Sequence, residues 1–166
     1  SEAKADRKYI VCNADEGDSG TFADRMLMEG DPFTLIEGMA IAGLACGAAK
    51  GFVYIRSEYP VAIRVMQDAV RIAREDGFLD ARFDIEIRVG AGAYVCGEET
   101  SLLNSLEGKR GVVRAKPPLP ALEGFMGKPT VVNNVISLAS VPVILAKGAA
   151  HYKDFGLGRS RGTIPL

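Results

Sequence analysis

The chain has 166 residues, of which 48% are hydrophobic and 25% charged, so it is long enough for one folded domain with a buried core. Its 20 basic and 21 acidic side chains nearly cancel, which excludes a bulk charge that would attract nucleic acid or an anionic membrane. Cys12, Cys46 and Cys96 lie far apart without a CxxC pair, which argues against a disulfide framework, a zinc site or a complete iron–sulfur site in this chain. A reducing, cytoplasmic setting follows from that cysteine usage.

Strands and helices alternate along the chain. Strands are predicted at 8–13, 52–56 and 84–89, because each is a short run of β-prone residues between turn formers. Helices are predicted from Asp31-Pro32 to about residue 49, ended by Gly51, then from Pro60 to Gly77, and from the turn at 97 to 108. A short turn or helical piece is expected at 21–25, and an extended piece at 130–134 leads into a helix at about 135–147. The alternation predicts an α/β fold with a mainly parallel sheet flanked by helices.

The helices should bury one face each. In the first long helix, apolar residues recur at Phe33, Ile36, Met39, Ala40 and Leu44, and its many small residues indicate close packing on the sheet. The buried stripe of the next helix is predicted to be Val61, Val65, Ala69 and Ile72. Pro142 should kink the last helix or start it anew.

Polar segments follow the predicted strands at one edge of the sheet. The loop 13–20 follows the first strand, and the glycine-rich turn 90–100 follows the third. Asn133-Asn134 precede the last helix and can join them, because ligands gather where parallel strands end. Taken singly, each segment also has a purely structural explanation, namely an Asx turn, glutamates that match a helix dipole, and a helix N-cap.

The groups at this edge suit a nucleotide-like ligand. Side-chain amides can bind a ring imide or a phosphate, and Ser137 lies one helical turn after Asn133. The carboxylates would repel a second phosphate and accept ribose hydroxyl groups, which favours a dinucleotide without a 2′-phosphate. Three alternatives remain open on the residues alone. They are a Ca²⁺ or Mg²⁺ loop at 15–18, a hydrolase with paired carboxylates, and a non-catalytic interaction domain whose acidic edge binds a metal or a peptide.

Long strings of the sequence closely resemble the flavin-binding subunit of complex I and its relatives. Those relatives are the β subunit of NAD-dependent formate dehydrogenase and the diaphorase subunit of NAD-reducing hydrogenase. The matching strings are 13–16, Asp24-Arg25, 92–100, 104–108, 116–118 and 127–135. The resemblance implies a Rossmann-like domain that holds FMN, exchanges a hydride with NAD(H) and passes electrons to iron–sulfur clusters.

The resemblance also implies roles for individual residues. Those implied to bind FMN are Asn13, Asp15, Glu16, Tyr94, Gly97, Glu98, Val132, Asn133, Asn134 and Ser137. Of these, 13–16 would line the site, 94–98 would border the isoalloxazine ring, and 133–137 would hold the ribityl chain and phosphate. Glu98 and Glu16 are implied as the catalytic carboxylates, and no residue is implied as a metal ligand.

Residues implied to contact the nicotinamide nucleotide are Glu99, Lys116 and Asp18. The chain departs from the family pattern in this region. Asp18-Ser19 stands where the family usually has Glu-Pro, and Leu119 stands where an aromatic residue usually stacks on the dinucleotide. Ser137 replaces a threonine but keeps the hydroxyl group.

The family's upstream glycine-rich loop and downstream four-cysteine segment are absent from residues 1–166. We therefore expect the chain to be the central part of an FMN/NAD-binding domain, inactive and weak in FMN binding by itself. A 4Fe-4S cluster is expected in the full-length subunit and not in this part. Expected partners are NADH and the iron–sulfur subunits of the same complex, namely a thioredoxin-like 2Fe-2S subunit and a catalytic formate dehydrogenase or hydrogenase subunit. No nucleic acid and no direct membrane insertion are expected, although a complex I assembly would be peripheral to the membrane.

Overall fold

The computed structural model describes residues 5–154. Its centre is a four-stranded sheet in which every pairing is parallel, with the strand order β3-β2-β1-β4. The strands are β1 (Tyr9–Ala14), β2 (Lys50–Arg56), β3 (Asp84–Gly90) and β4 (Thr130–Asn134). The predicted α/β fold with a parallel sheet is confirmed.

Helices follow the strands in the predicted alternation. They are α1 (Ala23–Gly30), α2 (Pro32–Cys46), α3 (Pro60–Glu75), α4 (Glu99–Leu106), α5 (Val135–Lys147) and the short α6 (Ala149–Lys153). A 3-10 turn at Tyr94–Gly97 precedes α4. Helix α5 continues through Pro142, so this proline does not start the helix anew. Among the described residues, no helix is both long and apolar enough to cross a membrane.

Two helix boundaries differ from the prediction. Helix α1 extends well beyond the short piece expected at 21–25. Helix α2 ends at Cys46, because Gly47 takes a left-handed conformation with φ 69°, which glycine adopts without strain. The prediction that Gly51 ends this helix was wrong, since Gly51 already pairs with Ile10 inside the sheet.

The buried faces of α2 and α3 match the predicted stripes only in part: Ile36, Met39 and Ala69 are buried as predicted, but Phe33 is 48% exposed. Leu44 is 86% exposed, whereas Gly38 is buried. A Cβ at Gly38 would lie 2.0 Å from the Leu138 carbonyl oxygen of α5, so a larger residue does not fit at this contact. The glycine thus permits helix-to-helix contact as well as packing on the sheet. In α3, Val61 and Ile72 are exposed, and the residues buried against the core are Ala62, Met66, Ala69, Val70 and Ala73. The small alanines let α3 approach closely.

Hydrophobic side chains cover both faces of the two middle strands of the sheet, β2 and β1. Because successive strand residues point to opposite faces, Ile10 and Cys12 join the larger core with α1, α2, α3 and α5, while Val11 points to the other side. There it meets Phe52, Tyr54 and the apolar residues of α4. Because both faces of these strands are covered, a ligand is expected at the strand ends.

Candidate functional site

The order in which the chain adds strands to the sheet reverses between β1 and β4. The chain moves outward from β1 to β2 and β3, then returns to place β4 on the other side of β1. Ligands of α/β proteins bind outside the carboxyl ends of the strands at such a point. A cavity of about 760 Å³ opens there. The residues that line it are Asp15, Glu16, Gly17, Asp18, Thr21, Asp24, Tyr94, Val95, Gly97, Glu98, Asn134 and Ile136.

Asparagine side chains join the segments around this cavity. Asn13 and Asn134 are register partners on neighbouring strands. The Asn13 side-chain amino group donates to the Gly97 carbonyl oxygen at 2.8 Å, and its oxygen accepts from the Asp15 amide at 3.1 Å. The Asn134 side-chain oxygen accepts from the Ser137 amide at 2.9 Å and caps α5. The three predicted segments therefore meet at one edge.

Glu16 is anchored to the start of α1. Its carboxylate oxygens accept from the backbone amides of Ala23 at 3.0 Å and Arg25 at 3.3 Å. The Tyr59 hydroxyl donates to the backbone carbonyl oxygen of Glu16. These contacts satisfy amides that the helix itself leaves free, and they fix the negative charge of Glu16 in the cavity wall.

Glu98 is the N-cap of α4. One carboxylate oxygen accepts from the backbone amides of Thr100 and Ser101, each at 2.9 Å, and from the Thr100 hydroxyl. Partial burial alone would raise the pKa of Glu98, but the hydrogen bonds from Thr100, Ser101 and Lys116 outweigh it and lower the pKa. Glu98 is therefore a carboxylate at neutral pH.

Lys116 bridges the two adjacent glutamates of the motif. Its ammonium nitrogen lies 3.2 Å from a Glu98 oxygen and 2.5 Å from a Glu99 oxygen. The hydrogen bond to Glu99, followed by that to Glu98, raises the pKa of Lys116. The three residues form a charged cluster beside the cavity, in which Glu99 and Lys116 border Glu98 without lining the cavity themselves.

Tyr94 and Asp18 line the cavity and contact each other. The Tyr94 hydroxyl donates to an Asp18 carboxylate oxygen at 2.8 Å, and this hydrogen bond raises the pKa of Tyr94. The Tyr94 side chain is 69% exposed, so its ring presents a large apolar face at the cavity edge. Such a face suits contact with a flat ring system.

The remaining predicted residues lie farther from the cavity. Asn133 and Ser137 are exposed beside Asn134, one on β4 and the other in the first turn of α5. Val132 packs against the smaller core around Phe52 and Leu103. Leu119, which stands in place of the usual aromatic residue, is 54% exposed.

Sequence reasoning missed two charged residues of this region. Arg56, the last residue of β2, reaches the Asp15 carboxylate at 3.1 Å, and its position at a strand end was the available signal. Asp24 lines the cavity and is 8% exposed. Burial, reinforced by the charge of Glu16, raises the pKa of Asp24 to about 7. Asp24 belonged to a matching string but had no assigned role.

The carboxylates at this edge do not form a cation site in the described part of the chain. No group of three or more histidine, cysteine, aspartate or glutamate side chains within 5–154 is arranged to hold a metal ion. Asp15, Glu16 and Asp18 instead contact Arg56, the first amides of α1 and Tyr94 respectively.

Comparisons with known proteins find relatives over nearly the whole chain. The sequence profile described as the Nuo51 FMN-binding domain matches residues 1–143. The NADP-reducing hydrogenase subunit HndC of Solidesulfovibrio fructosivorans is 52% identical over 96% of this chain and 34% of that protein. One of the NADH-quinone oxidoreductase subunits of Rhizobium meliloti is 51% identical over 93% of this chain and 38% of that protein.

A solved structure has the same fold. The crystal structure of an NAD⁺-reducing NiFe hydrogenase in the air-oxidized state superposes with a TM-score of 0.86 at 44% identity, covering 97% of this chain and 28% of that one. The chain thus spans about a third of the length of the relatives it matches.

Proposed function

Because the chain belongs to the family of the Nuo51 FMN-binding domain, we propose that it forms the flavin site of an NADH:FMN oxidoreductase module. The module would move a hydride between NAD(H) and FMN and serve a multisubunit complex. The observation that carries this proposal is that Asn13, beside the cavity at the end of β1, joins Gly97 and Asn134, which both line the cavity. These residues come from three distant parts of the chain.

The cavity residues fit FMN. The volume of about 760 Å³ lies within the range of cofactor pockets. The start of α5 offers backbone N–H groups and the positive end of a helix dipole, which suit a phosphate. At Gly97 a Cβ would meet, within 4 Å among the described residues, only the Asp15 carbonyl oxygen at 3.6 Å, so the missing side chain leaves room beside the cavity.

Residues in and beside the cavity would bind different parts of FMN. Asn133, Asn134 and Ser137 at the start of α5 would hold the phosphate and ribityl chain. Tyr94 and Gly97 would border the isoalloxazine ring, the first by its exposed face and the second by its open backbone. Asn13 and Asp15 would complete the site from the end of β1.

The two implied catalytic carboxylates would act by fixed charge. FMN, when bound, supplies hydride acceptance from NADH and release of electrons one at a time. Glu98 and Glu16 are both held by amides at helix starts, so their negative charges stay in place. Fixed charges of this kind influence a neighbouring ring without moving a proton.

The cluster of Glu98, Glu99 and Lys116 would contact the nicotinamide nucleotide, together with Asp18. Two negative charges beside Lys116 disfavour an additional 2′-phosphate, which supports a preference for NADH. The relatives carry both descriptions, since one is named as NADP-reducing and others as NADH or NAD enzymes. The preference therefore needs a direct test.

We further propose that the full protein works with iron–sulfur subunits in the cytoplasm. Its relatives are named as subunits of quinone oxidoreductases and hydrogenases. The implied partners are a thioredoxin-like 2Fe-2S subunit and a catalytic hydrogenase or formate dehydrogenase subunit. The free thiols of Cys12, Cys46 and Cys96 suit a reducing compartment.

The proposal is tested by anaerobic mixing of NADH with the complete, FMN-loaded subunit. The flavin absorbance should be bleached, and ferricyanide added afterwards should restore it. The same subunit stripped of flavin is the control and should show no such change. A loaded subunit whose flavin stays oxidised in excess NADH would contradict the proposed reaction.

A further inference from the structure

Arg56 connects the ends of three neighbouring strands. It is the last residue of β2, and its Nη1 lies 3.1 Å from an oxygen of Asp15, which follows β1. Its Nη2 donates to Glu58 at 2.7 Å and to the carbonyl oxygen of Gly92, beyond the end of β3, at 3.3 Å. One planar guanidinium thus holds three loops at the carboxyl edge of the sheet.

The contact between Arg56 and Asp15 is shielded from solvent. The Asp15 side chain is 1% exposed and that of Arg56 is 12% exposed. Gly17 makes this placement possible, because a Cβ there would lie 2.5 Å from Arg56 Nη1. A buried carboxylate that loses its cation is strongly disfavoured, so the charge state of Asp15 depends on Arg56.

We propose that Arg56 is a positioning residue for the flavin site: it holds the loops after β1, β2 and β3 together and balances the charge of Asp15 in the cavity wall. This inference rests on the proposed function, because it assigns Arg56 to the FMN site. Arg56 itself does not line the cavity and acts through Asp15, which does.

The charge balance predicts a specific pH effect when Arg56 is removed. The titratable groups around the pair are Glu58, Tyr54 and Tyr59. Burial raises the pKa of Tyr54 to about 12 and also raises that of Tyr59, while the hydrogen bond from Arg56 lowers the pKa of Glu58. None of these three groups changes charge near neutral pH. Asp24, which lines the same cavity and has a pKa of about 7, is present in wild type and variant alike, so its contribution cancels in their ratio and the remaining pH effect reports on Asp15.

The test measures FMN affinity of the complete subunit by flavin fluorescence. For each variant, the FMN dissociation constant is divided by that of wild type at the same pH, so that titration of the FMN phosphate cancels in the ratio. In Arg56→Gln, Asp15 ionises without a cation as pH rises, and its charge then repels the FMN phosphate. The ratio should therefore increase as pH rises, by at most about tenfold per pH unit, which is the limit for one linked proton. In Arg56→Gln with Asp15→Asn, this increase should disappear.

Two further variants separate charge from geometry. Arg56→Lys keeps the cation but not the fork of donors, so it should bind FMN several-fold more weakly with no added pH dependence. It also carries the test if Arg56→Gln does not fold. The matched control is Arg74→Gln, which breaks an arginine–aspartate pair of 2.7 Å at the other end of β3. Its ratio should stay near one at every pH.

The outcomes distinguish this inference from the proposed function. Wild-type subunit that fails to bind FMN would overturn both. Wild-type binding with a pH-independent ratio for Arg56→Gln, or the same pH-dependent rise in the double variant, would overturn the role of Arg56 alone. Unchanged FMN affinity in Arg56→Lys would show that the three-loop contact does not matter.

Discussion

The side-chain amino group of Asn13 donates a hydrogen bond to the carbonyl oxygen of Gly97 at 2.8 Å, across 84 residues of sequence. The bond ties the end of β1 to the turn before α4. The side-chain oxygen of Asn13 accepts a hydrogen bond from the Asp15 backbone amide, so the orientation of the Asn13 side chain is fixed. This side chain therefore holds the end of β1 against the turn before α4, alongside the hydrogen bond from Tyr94 to Asp18.

Replacing Asn13 by alanine should weaken FMN binding. The Gly97 carbonyl loses its partner, and a lost hydrogen bond of this kind costs about 1 kcal/mol, or roughly fivefold in affinity. A fluorescence titration of the complete subunit with FMN measures the change. Asn104→Ala is the control outside the cavity, because it removes a side-chain hydrogen bond to the Val112 carbonyl oxygen together with two from Arg114. Equal FMN affinities in the Asn13 variant and wild type would refute the role of this bond.

Replacing Glu99 by glutamine should relax the preference for NADH over NADPH. The change removes one of the two negative charges held beside Lys116 and leaves that ammonium freer to meet a 2′-phosphate. We expect the ratio of kcat/KM for the two nucleotides to fall about tenfold, a modest share of what like-charge repulsion can cost. Glu123→Gln, the same change at an exposed position on the loop 107–124, should leave the ratio unchanged. An unaltered ratio in the Glu99 variant would exclude it as the discriminating charge.

Asp24 should make the unfolding free energy depend on pH. Its pKa is raised to about 7 in the folded protein, above the usual 3.8, so the folded state keeps a proton that the unfolded chain loses. Stability from this group is present below the unfolded pKa and is lost as pH rises through the folded pKa. The side chain at this position cannot ionise in the Asp24→Asn variant. The unfolding free energy of this variant relative to wild type should therefore increase by up to about 4 kcal/mol from about pH 4 to about pH 8.

Urea denaturation of the flavin-free complete subunit at both ends of that pH range measures this gain. The control is Asp68→Asn on the solvent-facing side of α3, where the side chain is 62% exposed. It should show no such pH-dependent difference. A constant difference between wild type and the Asp24 variant at all pH values would mean that Asp24 is already ionised in the folded protein.

Gly38→Ala should destabilise the fold strongly. The new methyl group would lie 2.0 Å from the backbone carbonyl oxygen of Leu138, which no side-chain rotation can relieve. Because α2 must move away from α5 to accommodate the methyl group, the unfolding free energy should fall by about 1–3 kcal/mol, the usual range for overpacking. Gly30→Ala is the matched control within a helix, since a Cβ there meets nothing within 4 Å. It should stabilise the protein by about 0.5–1 kcal/mol, and thermal melts of the two variants should therefore move in opposite directions.

The sequence predicts well those site residues that lie at the carboxyl ends of strands. The strand at 8–13 and the extended piece at 130–134 follow from the sequence, and the parallel pairing of β1 with β4 brings Asn13 and Asn134 together. The role of Arg56 does not follow, because an arginine at a strand end is usually solvated. Only tertiary packing buries it against Asp15. The same applies to Glu16, whose partners on α1 depend on how the loop 15–22 folds back.

The helix faces show a second limit. Apolar spacing predicted Leu44 and Ile72 as buried, yet glycines and alanines occupy those interfaces because they allow closer approach. Hydrophobicity alone underestimates a small residue at a tight contact. The contact at Gly38 depends on how α2 packs against α5, which the spacing of apolar residues does not specify.

Identification of the flavin released from the complete subunit tests the central claim most directly. Acid release followed by chromatography should yield FMN at about one molecule per chain, because the proposal describes a single cofactor site. Release of FAD, or of no flavin from subunit purified under conditions that retain cofactors, would contradict the assignment of this cavity to FMN.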